Sequence, residues 1–215
     1  MPLLLPQAIG HEARVGVKHF DAEQVAHAID KGLINLTSSQ AAVLKLAGSA
    51  AVADLVSADQ LDGIDSVFET ESAYNLIVTT GLTFLSNRLT GGTSGGASNP
   101  LSAGYTRIGV GDSTTAAAVS QTDLQASTNK YWKQIVSSGY PTISGGVIQW
   151  QAVFGSAVAN FAWQEWGIDN GGTGTAGGTS NDGGAVATLF NRAVSSLGTK
   201  ASGTTATITV TITES

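Results

Sequence analysis

The sequence has no cysteine, only four prolines and one methionine, and just 12% of its 215 residues carry a charge. Without thiols there is no disulfide framework, no thiolate nucleophile, no cysteine-ligated zinc and no iron–sulfur cluster. Charge is present at about half the usual share of a soluble domain, so the surface has to be built from Ser, Thr, Asn, Gln and Gly. Lysine and arginine number ten against sixteen acids, giving a net charge of -6, and the cations are scattered along the chain. A nucleic-acid groove needs clustered cations, so no nucleic acid is expected as a partner. The stretch Met1-Pro-Leu-Leu-Leu-Pro6 is apolar but lacks a basic flank and is far too short to cross a bilayer. Neither an export signal nor a membrane partner is expected from it.

Glycine is abundant, with 27 residues, and it divides the chain. Up to about residue 90 the pattern is an extended arm of some twenty residues followed by short helices. Asp21 with Gln24 forms a capping-box pattern ahead of Val25, Ala26, Ala28 and Ile29, and Gly32 stands where a C-cap belongs. Thr37 and Gln40 repeat the signal ahead of Ala41, Val43, Leu44, Leu46 and Ala47, and Gly48 follows as the stop. Residues 69–89 place Ala73, Leu76, Ile77, Leu82, Leu85 and Leu89 near helical spacing, with Gly81 in the middle. Helices this short are not stable alone and need a partner surface on the rest of the chain, on another copy or on another protein.

Residues 91–104 are a Gly/Ser-rich linker, which separates an N-terminal unit, 1–90, from a second unit, 105–215. Beyond it the period shifts towards two. Strands are expected at 105–111, 130–137, 147–154, 160–168, 186–195 and 205–213, with a short helix through 120–127. In Thr205–Thr213 the residues Ile208, Val210 and Ile212 share one face and the threonines the other. The third and fourth of these strands read as a hairpin, 147–154 with 160–168, and residues 170–184 as a long hairpin loop. The fold class expected is mainly β, an antiparallel glycine-rich β-sandwich preceded by an arm and short helices.

Candidate chemistry is sparse. His11, His19 and His27 are eight residues apart, which matches no metal-ligand spacing, so no metal or cofactor is expected. Gly109-Val-Gly-Asp-Ser113 lacks the lysine of a phosphate loop and the glycine pattern of a hydrolase elbow. Glu165, between Trp163 and Trp166, suits an acid whose pKa is raised by aromatic neighbours, but a glycosidase needs a second carboxylate close by, and Asp169 is the nearest. A structural role is the better reading, with Glu165 paired to Arg107, Arg192 or Lys200 across strands or across a subunit boundary. Trp163 and Trp166 alternate, so one of them is expected to leave the core. Trp163, Glu165, Trp166, Arg107 and Arg192 are therefore the candidate interface residues, and the four tryptophans 132, 150, 163 and 166 also permit stacking on a glycan.

The series Arg107-Ile-Gly-Val-Gly-Asp-Ser-Thr-Thr-Ala116, Gln121-Thr-Asp-Leu-Gln-Ala126, Gln151-Ala-Val-Phe154, Asn160-Phe-Ala-Trp-Gln-Glu-Trp-Gly167, Leu189-Phe-Asn-Arg192 and Leu197-Gly-Thr-Lys200 resembles a module of structural proteins of tailed bacteriophage virions. The resemblance covers residues 105–215. It implies a non-enzymatic virion component, either a capsid decoration or cement protein on the head or a tail or fibre-attachment protein with host-glycan binding. Its implied partners are copies of itself, as a homotrimer, and the major capsid protein or other virion proteins, in a particle assembled in the host cytoplasm.

Overall fold

Antiparallel pairing organises the molecule. The computed structural model describes residues 11–38, 40–42, 56, 58–61, 64, 68–72, 75–90, 100–171, 182–183 and 185–214. Among them, ten strands make two five-stranded sheets, and every pairing is antiparallel. The first sheet runs β2 (Phe68–Ser72), β1 (His11–Asp21), β10 (Thr204–Glu214), β7 (Val147–Phe154), β6 (Thr142–Ser144). The second runs β3 (Leu76–Ile77), β9 (Leu189–Val194), β8 (Glu165–Asp169), β4 (Arg107–Gly111), β5 (Lys130–Gln134). The mainly β sandwich expected from the sequence is the fold observed.

The two sheets face each other across one core. Val15, Val17, Trp150, Phe154, Ile208 and Val210 from the first sheet meet Ile108, Val110, Trp166, Ile168, Phe190 and Ala193 from the second. Each strand follows the period of two that a half-buried strand requires, except β9, where a register shift against Ile168 and Asp169 sets Phe190 and Ala193 three residues apart. The Thr-rich strand behaves as its pattern predicts, with Ile208, Val210 and Ile212 buried. Gly145 and Gly146, both at positive φ, make the tight connection from β6 to β7, a backbone region that favours glycine.

Several elements differ from the sequence reading. Residues 11–20, expected as part of an arm, form β1 with Asp21 and pair along their whole length with β10, from His11 opposite Glu214 to Asp21 opposite Thr204. The expected arm before residue 11 lies outside the described residues. The first sheet thus takes strands from both sides of the 91–104 linker, of which 91–99 lie outside the described residues and 100–104 pack on the sandwich, Leu101 accepting the Trp150 indole N–H at 3.1 Å. The proposed 147–154/160–168 hairpin is not formed. β7 pairs with β6 and β10, while β8 pairs with β4 and β9, so the intervening chain crosses from one sheet to the other. Strands β8 and β9 are the hairpin that the 170–184 loop joins; 172–181 and 184 lie outside the described residues.

Helix α1 (Ala22–Asp30) keeps its predicted capping box: the Gln24 amide donates to Asp21 at 2.7 Å and the Asp21 amide to the Gln24 side chain at 3.4 Å. Gly32 adopts φ 71° just past its end. The Thr37–Gln40 box also forms, with each backbone amide donating to the other side chain, while the apolar residues 43–47 and Gly48 lie outside the described residues. Val25, Ala28 and Ile34 join Leu61 of α2 (Ala58–Leu61) over Phe20 and Val153 on the outer face of the first sheet. The short helix therefore has its partner surface on the sandwich itself. The long helix expected over 69–89 begins only at Thr79, as α3 (Thr79–Thr90), because residues 68–72 and 76–77 are taken by sheet edges.

Gly81 lies where α3 crosses β9, so close that a Cβ would overlap the Phe190 carbonyl oxygen. An exposed helical Gly→Ala change stabilises by about 1 kcal/mol. Here the sign reverses: Gly81→Ala is expected to cost about 1–3 kcal/mol by forcing helix and strand apart, read as a lowered urea midpoint at unchanged slope.

His19 is 3% exposed in the core, its ring 5.4 Å from that of Trp163. Burial lowers its pKa from the ordinary 6.5; a bond with the Leu197 backbone opposes this, and the Lys200 charge adds to it. The folded state thus takes up its proton at lower pH than the unfolded chain does. The stability held by neutral His19 is complete above pH 6.5 and is lost as pH falls from there through the lower folded value. Thermal unfolding should show this decline, and His19→Gln should flatten that part of the profile.

Candidate functional site

The five candidate residues converge, but in the interior and not at a surface. Trp163, Glu165, Trp166 and Arg192 are each 0% exposed and Arg107 is 2% exposed. The expectation that one tryptophan leaves the core is corrected. Trp163 precedes β8 in an irregular segment, so strand alternation does not govern it, and both indoles join the core between the sheets. Trp163 donates its ring N–H to the Ala159 carbonyl at 2.9 Å. Trp132 and Trp150 are also buried, which removes all four tryptophans as a glycan-stacking surface.

Alternation does govern β4 and β8. Ile108, Val110, Trp166 and Ile168 face the other sheet, so Arg107, Gly109 and Gly111 line the outer face beside Asp169, Gly167 and Glu165, their direct partners in register. A charged pair therefore stands at one end of this face, a glycine pair at its centre and Glu165 at the other end. Arg107 grips Asp169 with two bonds, Nε at 2.9 Å and Nη2 at 2.5 Å, and also donates to the Ala185 carbonyl at 2.7 Å. Asp169 in turn accepts from the Ala187 amide at 3.1 Å. Burial pushes the Asp169 carboxyl above the usual carboxylate range, and the Arg107 guanidinium with the Ala187 and Gly171 amides draws it back.

At the other end Arg192 of β9 donates to Glu165 from Nε at 2.6 Å, to the Gln121 side chain at 2.9 Å and to the Thr115 carbonyl at 2.8 Å. Glu165 also accepts the amides of Gln125 at 2.9 Å and Ala126 at 2.7 Å. Its two oxygens hold three donors, an arrangement that fixes the side chain in place. Of the three cations expected to pair with Glu165, Arg192 does so. Arg107 serves Asp169, and Lys200 donates to Asn160 at 2.6 Å where the 196–200 segment lies along 160–164.

The glycines give these groups their room. A Cβ on Gly109 would come within 2.5 Å of the Trp132 ring, which lies over it from β5 with the Arg107 guanidinium 5.5 Å from its centre. A Cβ on Gly111 would overlap Glu165, and one on Gly167 would stand 2.6 Å from the Asn191 carbonyl oxygen. The Gly-Val-Gly motif is thus a floor for bulky and charged neighbours. Over it lie Leu124, Leu189 and Val78, packed on Trp132. The helix expected over 120–127 is absent because Glu165 and Arg192 take the backbone and side-chain groups of 115–126 as ligands, holding that segment in an irregular, non-helical path.

Among the described residues no group of three His, Asp or Glu is placed to hold a metal, and no helix is long and apolar enough to cross a membrane. Comparison of the chain with protein-family models, with curated proteins and with solved structures gives no match in any of the three.

What the site does chemically is bind its own loops. Glu165→Gln keeps the shape but leaves Arg192 buried without a counter-charge, and is expected to cost about 3–5 kcal/mol. Lys130→Met, which breaks the Lys130–Asp123 pair whose side chains are 27% and 28% exposed, should cost at most about 1 kcal/mol. Equilibrium urea unfolding of the two variants makes the comparison.

Proposed function

We propose that this chain is a structural subunit of a tailed-bacteriophage virion, and within it a decoration or cement protein of the head. The observation that carries the reading is the fate of the motif residues that resemble the phage module. Arg107, Gln121, Ala126, Glu165 and Arg192 enter two ion-paired clusters that fasten loops to a sheet, and Gly109, Gly111 and Gly167 leave room for the groups packed over that sheet. A motif series spent on rigidity suits a repeated building block, whose demand is a fixed shape. On this reading no catalytic activity is expected.

Two further features support it. The low charge leaves a surface of small polar residues that can pack closely against neighbours. Helix α3 buries Gly81, Phe84 and Asn87 and leaves Leu82 51% and Leu89 88% exposed, seven residues apart on its outward side. This apolar stripe suits contact with another subunit, whether a further copy in a homotrimer or the major capsid protein. With all four tryptophans in the interior, none of them offers a stacking surface for glycan binding by a tail component.

The test is addition of purified protein to phage heads that lack it, followed by cryo-electron microscopy. Ordered density on the icosahedral shell is expected, and Leu89→Asp should reduce occupancy at least about tenfold, the effect of roughly 1.4 kcal/mol lost from each contact, with unchanged thermal stability. Density confined to the tail would replace the head assignment with the attachment role, and no association with any particle would overturn the virion reading.

A further inference from the structure

Among the described residues, one end of the sandwich is open. A cavity of about 340 Å³ lies there between the first sheet, α3 and β9. Its floor is a row of isoleucines in mutual register across three strands: Ile212 of β10 opposite Ile148 of β7, and Ile148 opposite Ile143 of β6. Phe84 and Leu85 of α3 and Leu101 wall it. The polar residues in its lining are Arg88 and Ser102, and Ile143 at its outer end is 74% exposed. An apolar groove of this kind is costly to leave in water, at about 25 cal/mol for each Å² of apolar surface.

The register also says what can reach it. The isoleucine row continues into β1, where Ala13 pairs with Ile212. The chain therefore enters the first sheet at the groove's own end, two residues before that row. The ten residues that precede His11 read Met1-Pro-Leu-Leu-Leu-Pro-Gln-Ala-Ile-Gly10 and carry no charged side chain. From His11 back to Leu5 an extended chain spans about 20 Å at roughly 3.3 Å per residue. From β1 to β6 the distance is about 14 Å, three strand spacings of roughly 4.8 Å. Leu3, Leu4 and Leu5 are thus within reach of the groove without any rearrangement of the sheet, and flanking prolines favour the extended form that such a path needs.

We propose that the apolar segment Pro2–Pro6 of the same chain docks in this groove and closes the open end of the sandwich. Leucine side chains fill the space over Ile212, Ile148 and Ile143, and the occupant comes from the chain itself because a tether of a few residues holds it at millimolar effective concentration. The inference rests on the groove and the register alone, and it holds whichever particle the protein belongs to.

Because the chain has no cysteine, a single introduced pair reports the contact. In the full chain, Leu4→Cys with Ile143→Cys is expected to form a disulfide under mild oxidation. It should run at monomer mass, with a yield independent of protein concentration and at least about tenfold above a control pair. The control joins Leu4→Cys to Ser202→Cys, at the opposite end of β10. A yield no higher than the control overturns the proposal. So does a product at dimer mass whose yield climbs with concentration, since a second copy would then supply the segment. As an independent reading, an anilinonaphthalene sulfonate dye should fluoresce little with the full chain and strongly once residues 1–8 are deleted. Equal fluorescence of both forms would mean that the groove is not covered by this segment.

Discussion

Two arginine–carboxylate pairs laid flat on the outside of a sheet set the terms for the second half of the molecule. Ion pairs buried this deeply are stable only if every remaining donor and acceptor finds a partner and water is kept out. Arg107–Asp169 and Arg192–Glu165 meet that demand by recruiting backbone groups from two loops, 115–126 on one side and 185–187 on the other. The loops would otherwise have little reason to order, since they bury few apolar side chains. The charge network therefore converts irregular chain into a fixed third layer over the sheet.

The same arrangement explains the composition. A side chain lying along a strand occupies the space in which its neighbours' Cβ atoms would stand, so Gly109, Gly111 and Gly167 are required beneath Trp132, Glu165 and the β9 backbone. Glycine in a strand weakens it through lost packing and backbone entropy. Here that loss is offset by the Trp132 indole and the Glu165 carboxylate, which fill the vacated volume over Gly109 and Gly111. The low overall charge and the high glycine content, which look unrelated in the sequence, belong to one design in which Arg107, Glu165, Asp169 and Arg192 of this sheet are buried.

Much of the fold was legible because its signals are local. The alternation in Thr205–Thr213, the capping boxes at Asp21 and Thr37 and the strand patterns at 107–111 and 147–154 each follow from a period or a cap that neighbouring residues complete. What escaped depends on partners distant in the chain. Residues 11–21 alternate as a strand from Val15 onwards, with Val15, Val17 and His19 turned inwards, yet the prolines and glycine before them suggested an arm and the matching strand lies at the far end of the sequence. The 120–127 segment carries a helix start signal, but Glu165 outbids the helix for its amides. At the site, the pairing of Glu165 with one of Arg107, Arg192 and Lys200 was readable from the lack of a second carboxylate nearby, whereas its burial was not. Alternation was applied to Trp163, which stands outside the strand, and charged residues were assigned to a boundary by default. The spacing of Arg107, Gly109 and Gly111 against Glu165, Gly167 and Asp169 held the correct signal: two outward rows in which glycine and charge alternate with buried apolar residues.

The pairing of β1 with β10 has a consequence for the order in which the molecule can be built. β10 is the bridge between β1 and β7, so the first sheet lacks its middle strand until this last of the described strands has been synthesised. Until then β1 and β7 each present an open edge able to pair with another chain, and closing the sheet requires contact between residues at opposite ends of the sequence. Completion of the first sheet thus waits for β10, whereas the β4–β5 and β8–β9 hairpins of the second sheet can form as they emerge.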